Sequence, residues 1–122
     1  MYVLKTRIKE PDTNLVKIFN LQENEELISL DLDGKNIGYG IIRDNTDNPI
    51  EIFILKQYQN NGYGSYLFCE LLKKLNKPLN IIIPIDNFKM IKIIVKNNGI
   101  ELGRNGKNIM FFIPNINNEI KK

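Results

Sequence analysis

The stretch Gln59-Asn60-Asn61-Gly62-Tyr63-Gly64 combines residue types and spacing suited to holding a ligand. It lies between a strand-like apolar run and a segment with helical spacing. Its backbone amides and the N-terminus of the coming helix therefore point to one spot, and an anion binds at such a spot. Glycine at 62 and at 64 suits a diphosphate that approaches the main chain closely, because a Cβ at either position would stand in its way. One charge at a helix end contributes only about 0.3–1 kcal/mol, so several amides must converge.

Other chemistries lack their residues. The sequence has no histidine, which removes the commonest general base, the usual zinc ligand and every Ser-His or Cys-His pair, and no metal is expected. Its one cysteine, Cys69, can form no intrachain disulfide and reads as a small buried thiol on a helix. Seventeen basic against fourteen acidic residues give a net charge of +3, with the lysines dispersed, so no nucleic-acid-binding stripe is expected. The apolar run Ile81 to Ile85 is far below the roughly 20 residues of a membrane span, and no signal-like segment opens the sequence. These features predict a cytoplasmic protein with no membrane partner.

The 122 residues suit one domain, expected over 1–114, with a frayed tail at 115–122. Met1 to Ile8 alternates as a strand, and Pro11-Asp12-Thr13-Asn14 offers a turn and cap for a short helix. Ile28 to Leu32 and Ile37 to Ile41 alternate around Asp33-Gly34, a hairpin signal. A strand follows the polar turn Asp44 to Pro49, over Ile50 to Lys56. The helix from Gly62 to Asn76 turns Leu67, Leu71, Leu72 and Leu75 inward. Leu79 to Ile85 is apolar enough for a central strand covered on both faces. Along Asn87 to Asn97, Lys89, Lys92 and Lys96 share one face, expected to be solvated, and Phe88, Ile91, Ile94 and Val95 share another. Ile100 to Ile113 reads as a hairpin turning at Asn105-Gly106.

The central segment resembles the acetyl-CoA signature of the GNAT superfamily, Q/R-x-x-G-x-G/A, with Gln59, Gly62 and Gly64 at the family's spacing. The order of elements is similar over nearly the whole chain. The resemblance implies an α+β fold: a central mixed, mostly antiparallel sheet of about seven strands with helices on both faces. It implies acetyl-CoA as cosubstrate and an amine as acceptor. By that likeness the main chain of Ile52, Phe53 and Ile54 pairs with the pantetheine arm, Asn60, Asn61, Gly62, Tyr63, Gly64 and Ser65 form the pyrophosphate loop, and Gln59 of the signature is cofactor-binding too. Asn87 corresponds to a cofactor-contacting asparagine. The strand at Ile50 and the strand at Leu79 should splay apart to leave a slot for thioester and amine.

The sequence departs from the family pattern at the chemistry. The tyrosine that protonates the leaving thiolate in many members falls on Val95, or on Ile94 when counted from Asn87. No carboxylate stands in the Leu79 to Ile85 strand. Deprotonating an alkyl ammonium of pKa about 10.4 at pH 7 costs roughly 4.6 kcal/mol, which a base, a water chain or a less basic acceptor must offset. The catalytic candidates are Glu51 and Tyr39, with Tyr58 and Tyr63 beside the loop. Only Pro11 to Glu26 is available where the family has two helices, so the acceptor side should be open, completed by a second subunit in a homodimer, or suited to a protein terminus. The alternative function is a catalytically weak or inactive acyl-CoA-binding sensor.

Overall fold

The computed structural model describes residues 3–43 and 47–115. The expected turn residues 44–46 and the tail beyond Asn115 lie outside them. In chain order the elements are β1 (Leu4–Lys9), α1 (Thr13–Phe19), β2 (Glu26–Leu32), β3 (Lys35–Ile42), β4 (Ile50–Ile54), α2 (Tyr63–Leu75), β5 (Leu79–Pro84), α3 (Phe88–Lys96), β6 (Ile100–Asn105) and β7 (Asn108–Ile113). A short 3-10 turn at Lys56–Tyr58 leads from β4 to the loop before α2.

The strands form two sheets rather than the single one expected, in the orders β1-β2-β3-β4 and β5-β7-β6, and every pairing is antiparallel. The division falls between β4 and β5. Near it, Ile82 N–H donates to Asp47 O at 3.0 Å, tying β5 to the segment that enters β4. The two strands make no ladder, so the expected splay is present. Nor is β5 covered on both faces: Leu79, Ile81 and Ile83 are buried, while Asn80 and Pro84 are exposed. An apolar run does not report how many of its faces are covered.

Local chemistry explains the joints. Asp33 and Gly34 take φ of 51° and 84°, both left-handed, as a two-residue hairpin turn between right-twisted strands requires. At the second hairpin the paired residues are Asn105 and Asn108, so the loop is Gly106-Lys107, one residue later than expected, with Gly106 at φ 62°. Asn98, at φ 69°, ends α3; Gly99 N–H then donates to Ile94 O at 2.9 Å and Asn98 N–H to Val95 O at 3.1 Å, the paired bonds of a Schellman motif.

One core spans both sheets. Leu67, Phe68, Leu71 and Leu72 of α2 pack with Ile28, Leu30, Ile37 and Ile50 of the first sheet, with Ile81, Ile83, Phe111 and Ile113 of the second, and with Ile94 of α3. On the opposite face of the first sheet, Phe19 at the end of α1 meets Tyr39 and Phe53 at ring separations of 5.5 and 4.7 Å. Among the described residues no helix is long and apolar enough to cross a membrane.

Candidate functional site

The site begins at an open sheet edge. Arg43 N–H donates to Pro49 O at 2.8 Å and Leu55 N–H to Ile37 O at 2.9 Å. By strand alternation, Glu51 and Phe53 direct their main chain to β3, whereas Ile52 and Ile54 direct theirs to the gap beside β5. Their side chains line a cavity of about 830 Å³ in that gap, within the roughly 300–1,000 Å³ usual for cofactor sites.

The loop after β4 closes one end of the cavity. Asn60 and Gly62 have φ of 64° and 82°, which bends the chain back so that α2 starts facing the gap. The first helical bond, Tyr66 N–H to Gly62 O at 3.0 Å, leaves the amides of Tyr63, Gly64 and Ser65 without partners inside the helix. Asp12 caps α1 and Asn87 caps α3 through their side chains, but α2 has no side-chain cap and no acid in its first turn. Those amides and the positive end of the helix are presented to an anion.

Side chains brace this loop. Gln59 Nε2 donates to Ile54 O at 2.9 Å, and its Oε1 accepts from Lys89 Nζ at 3.1 Å. Asn61 Nδ2 donates to Tyr58 O and Gln59 O at 3.3 and 3.1 Å. The signature glutamine thus ties β4, the loop and α3 together.

The second wall is α3. Lys89, Lys92 and Lys96 are exposed, as expected of a solvated face, and they also line the cavity together with Gly62, Gly64 and Ser65. Phe88 and Val95, expected on the inward face, are 71% and 56% exposed, whereas Ile94 is fully buried. The helix meets the core through Met90, Ile91 and Ile94, and Ile93 reaches α2. A Cβ on Gly64 would lie 3.2 Å from Ile93 Cδ1, and Asn97 Nδ2 is 3.4 Å from Ser65 Oγ, so the two helices pack closely beside the loop.

Of the expected cofactor residues, Ile52, Ile54, Gln59, Asn60, Gly62, Gly64, Ser65 and Asn87 line the cavity. Phe53 points to the other face, onto Phe19; Asn61 braces the loop; Tyr63 packs against the core. Asn87 Oδ1 accepts from Met90 N–H at 3.3 Å, which makes it the cap of α3 at the cavity rim. The catalytic candidates lie on the far face of the sheet. Glu51 Oε2 is 3.1 Å from Arg43 Nη2, and Arg43 also contacts Glu25 Oε1 at 2.8 Å and Phe19 O at 2.7 Å. Burial works against the Arg43 charge, but hydrogen bonds and attraction from Glu51 and Glu25 outweigh it and hold its pKa above the ordinary value. Tyr39 is half-buried against Phe19. Both places considered for the family tyrosine hold aliphatic side chains, Ile94 turned inward and Val95 outward.

Solved structures share this architecture. The N-acetyltransferase PseH of Campylobacter jejuni, in complex with acetyl coenzyme A, superposes with a TM-score of 0.70 over 92% of this chain and 99% of its own, at 11% identity. The chain has the GNAT acyltransferase fold. Two further GNAT-fold enzymes agree. Ribosomal-protein-S18-alanine N-acetyltransferase of Escherichia coli has a TM-score of 0.66, 19% identity, and coverage of 91% and 94%. Spermidine N-acetyltransferase of Vibrio cholerae, in complex with CoA and spermine, has a TM-score of 0.67, 14% identity, and coverage of 92% and 95%. No protein-family model matches the sequence, and no curated protein does.

Proposed function

We propose that this GNAT-fold protein is a cytoplasmic N-acetyltransferase that moves acetyl from acetyl-CoA to a primary amine by direct attack. The observation that carries the reading is the joining of two features in one cavity: the uncapped start of α2 and the open main-chain edge at Ile52 and Ile54. A diphosphate suits the amides of Asn60 to Ser65, and an amide-bearing pantetheine arm suits the strand edge. With Gln59 Nε2 already on Ile54 O, the Ile52 main chain and Ile54 N–H are the groups offered to the arm. PseH binds acetyl coenzyme A on the same fold.

In the reaction the free amine nitrogen forms a bond to the acetyl carbon, the carbon–sulfur bond breaks with its electron pair on sulfur, and the proton the nitrogen sheds passes through solvent to the thiolate. The protein's part is positioning, which can contribute on the order of 7 kcal/mol or more. Glu51 and Tyr39 stand on the face of the sheet away from the cavity, so the proposed proton transfer runs through solvent rather than through them. α1 alone, seven residues long, stands between β1 and β2. That supports a large acceptor such as a protein terminus, or a wall completed by a second copy of the chain.

A second reading, an acyl-CoA-binding sensor with little or no turnover, is favoured by Ile94 and Val95 at the tyrosine place and by a cavity that no carboxylate among the described residues lines. A thiol-release assay with acetyl-CoA against a panel of amines and peptides, paired with a CoA thermal shift, separates them. Thiol release with any acceptor supports transfer; a shift without release across the panel supports the sensor; neither response overturns both.

A further inference from the structure

The cavity carries more positive charge than a diphosphate on helix amides calls for. Lys89, Lys92 and Lys96 line it, and among the described residues no Asp or Glu does. The three lysines are spaced by three and four residues, so they stand in one row on α3, where like charges at this spacing oppose helix formation. Lys89 is engaged by Gln59 Oε1 at 3.1 Å. Lys92 and Lys96 immediately precede Ile93 and Asn97, the residues of α3 that reach Gly64 and Ser65 at the start of α2. They are about 6 Å apart along the helix axis and flank the point at which the amides converge.

A ligand whose diphosphate is held by the α2 amides therefore presents its neighbouring groups to this pair. Coenzyme A differs from simpler adenine diphosphates by a phosphate at the 3′ position of the ribose that bears the diphosphate, a second dianion on the adjoining sugar. We propose that Lys92 and Lys96 form a subsite for the 3′-phosphate and make the protein selective for coenzyme A over dephospho-coenzyme A. The proposal rests on the coenzyme A reading of the cavity. It assigns the lysine row to the phosphate that the helix amides do not hold.

The test is titration calorimetry of coenzyme A and dephospho-coenzyme A against the wild-type chain and a Lys92→Gln/Lys96→Gln double variant. Both positions are exposed and glutamine is nearly as good a helix former as lysine, so the variant is expected to fold, which its circular dichroism spectrum checks. The wild type is expected to prefer coenzyme A by about tenfold or more at low ionic strength. The double variant should lose about tenfold in affinity for coenzyme A while dephospho-coenzyme A changes by less than about twofold, which removes the preference. Equal wild-type affinities for the two ligands, or equal weakening of both in the variant, overturn the lysine subsite and leave the coenzyme A site standing. Failure of the wild type to bind either ligand overturns the coenzyme A reading and the subsite together.

Discussion

Glycine answers different constraints at 62 and 64. At Gly62 the backbone has φ 82° and a Cβ would meet nothing within 4 Å, so the demand is conformational. Asparagine tolerates that region and a β-branched residue does not, at a cost of about 1–2 kcal/mol or more. Gly62→Asn should therefore unfold in urea within about 1 kcal/mol of the wild type, and Gly62→Val should lose about 2 kcal/mol. If a side chain there also blocks the diphosphate, both variants lose at least about tenfold in coenzyme A affinity by calorimetry. Retained affinity in a folded Gly62→Asn protein would leave the backbone as the only reason for the glycine. At Gly64 the added methyl meets Ile93 Cδ1 at 3.2 Å, a contact a side-chain end can yield.

At the scale of elements, the end of α3 depends on a glycine that is not in the left-handed region. A Cβ on Gly99 would lie 2.8 Å from Ile94 O and 2.3 Å from Ile94 Cγ2, inside the turn that stops the helix. Gly99→Ala is expected to lower stability by about 2 kcal/mol, while Gly103→Ala in β6, where a Cβ meets nothing within 4 Å, stays within about 0.5 kcal/mol. Equal urea midpoints for the two variants would contradict the packing argument. The bulge between β2 and β3 holds a polar group of similar weight. Buried Asp31 accepts from Ser29 Oγ at 2.7 Å and Arg7 Nε at 3.0 Å. Burial acts to raise its pKa, but the hydrogen bonds from Ser29, Arg7 and Asn36 and the charge of Arg7 outweigh it, so the pKa lies below the ordinary 3.8. A depressed folded pKa means that the stabilisation is complete above the unfolded value and is lost as pH falls through the folded one. Asp31→Asn should cost about 1–2 kcal/mol at neutral pH, and the gap to the wild type should narrow as pH drops below 3.8. A gap that stays constant down to about pH 2 would remove Asp31 from the acid response.

For the whole molecule, the proposed reaction depends on where the ammonium proton goes. Among the described residues no carboxylate lines the cavity, and Glu51 lies on the other face in contact with Arg43. Without a strong base only the free-amine fraction reacts, and that fraction grows about tenfold per pH unit below the amine pKa. A plot of log kcat/KM against pH from about 6 to 9 should rise with a slope near one for any accepted alkyl amine. A plateau well below the amine pKa would reveal a base, and Glu51→Gln is the first variant to measure against it.

The order of elements, both hairpins, the helix start at Gly62 and the loop signature were legible in the sequence, because period-two and period-3.6 patterns and turn residues act over a few neighbours. The tertiary structure decided what depends on distant partners. It divided seven strands into two sheets, since a strand's pattern does not say which edge will be paired. It turned Phe88 and Val95 outward and set the lysines against the start of α2, since an apolar stripe on a short helix does not say which part of it meets the core. Alternation in β4 separated Glu51 from Ile52 and Ile54, but only the packing of α1 on one face and of α2 and α3 on the other made the second face the cavity.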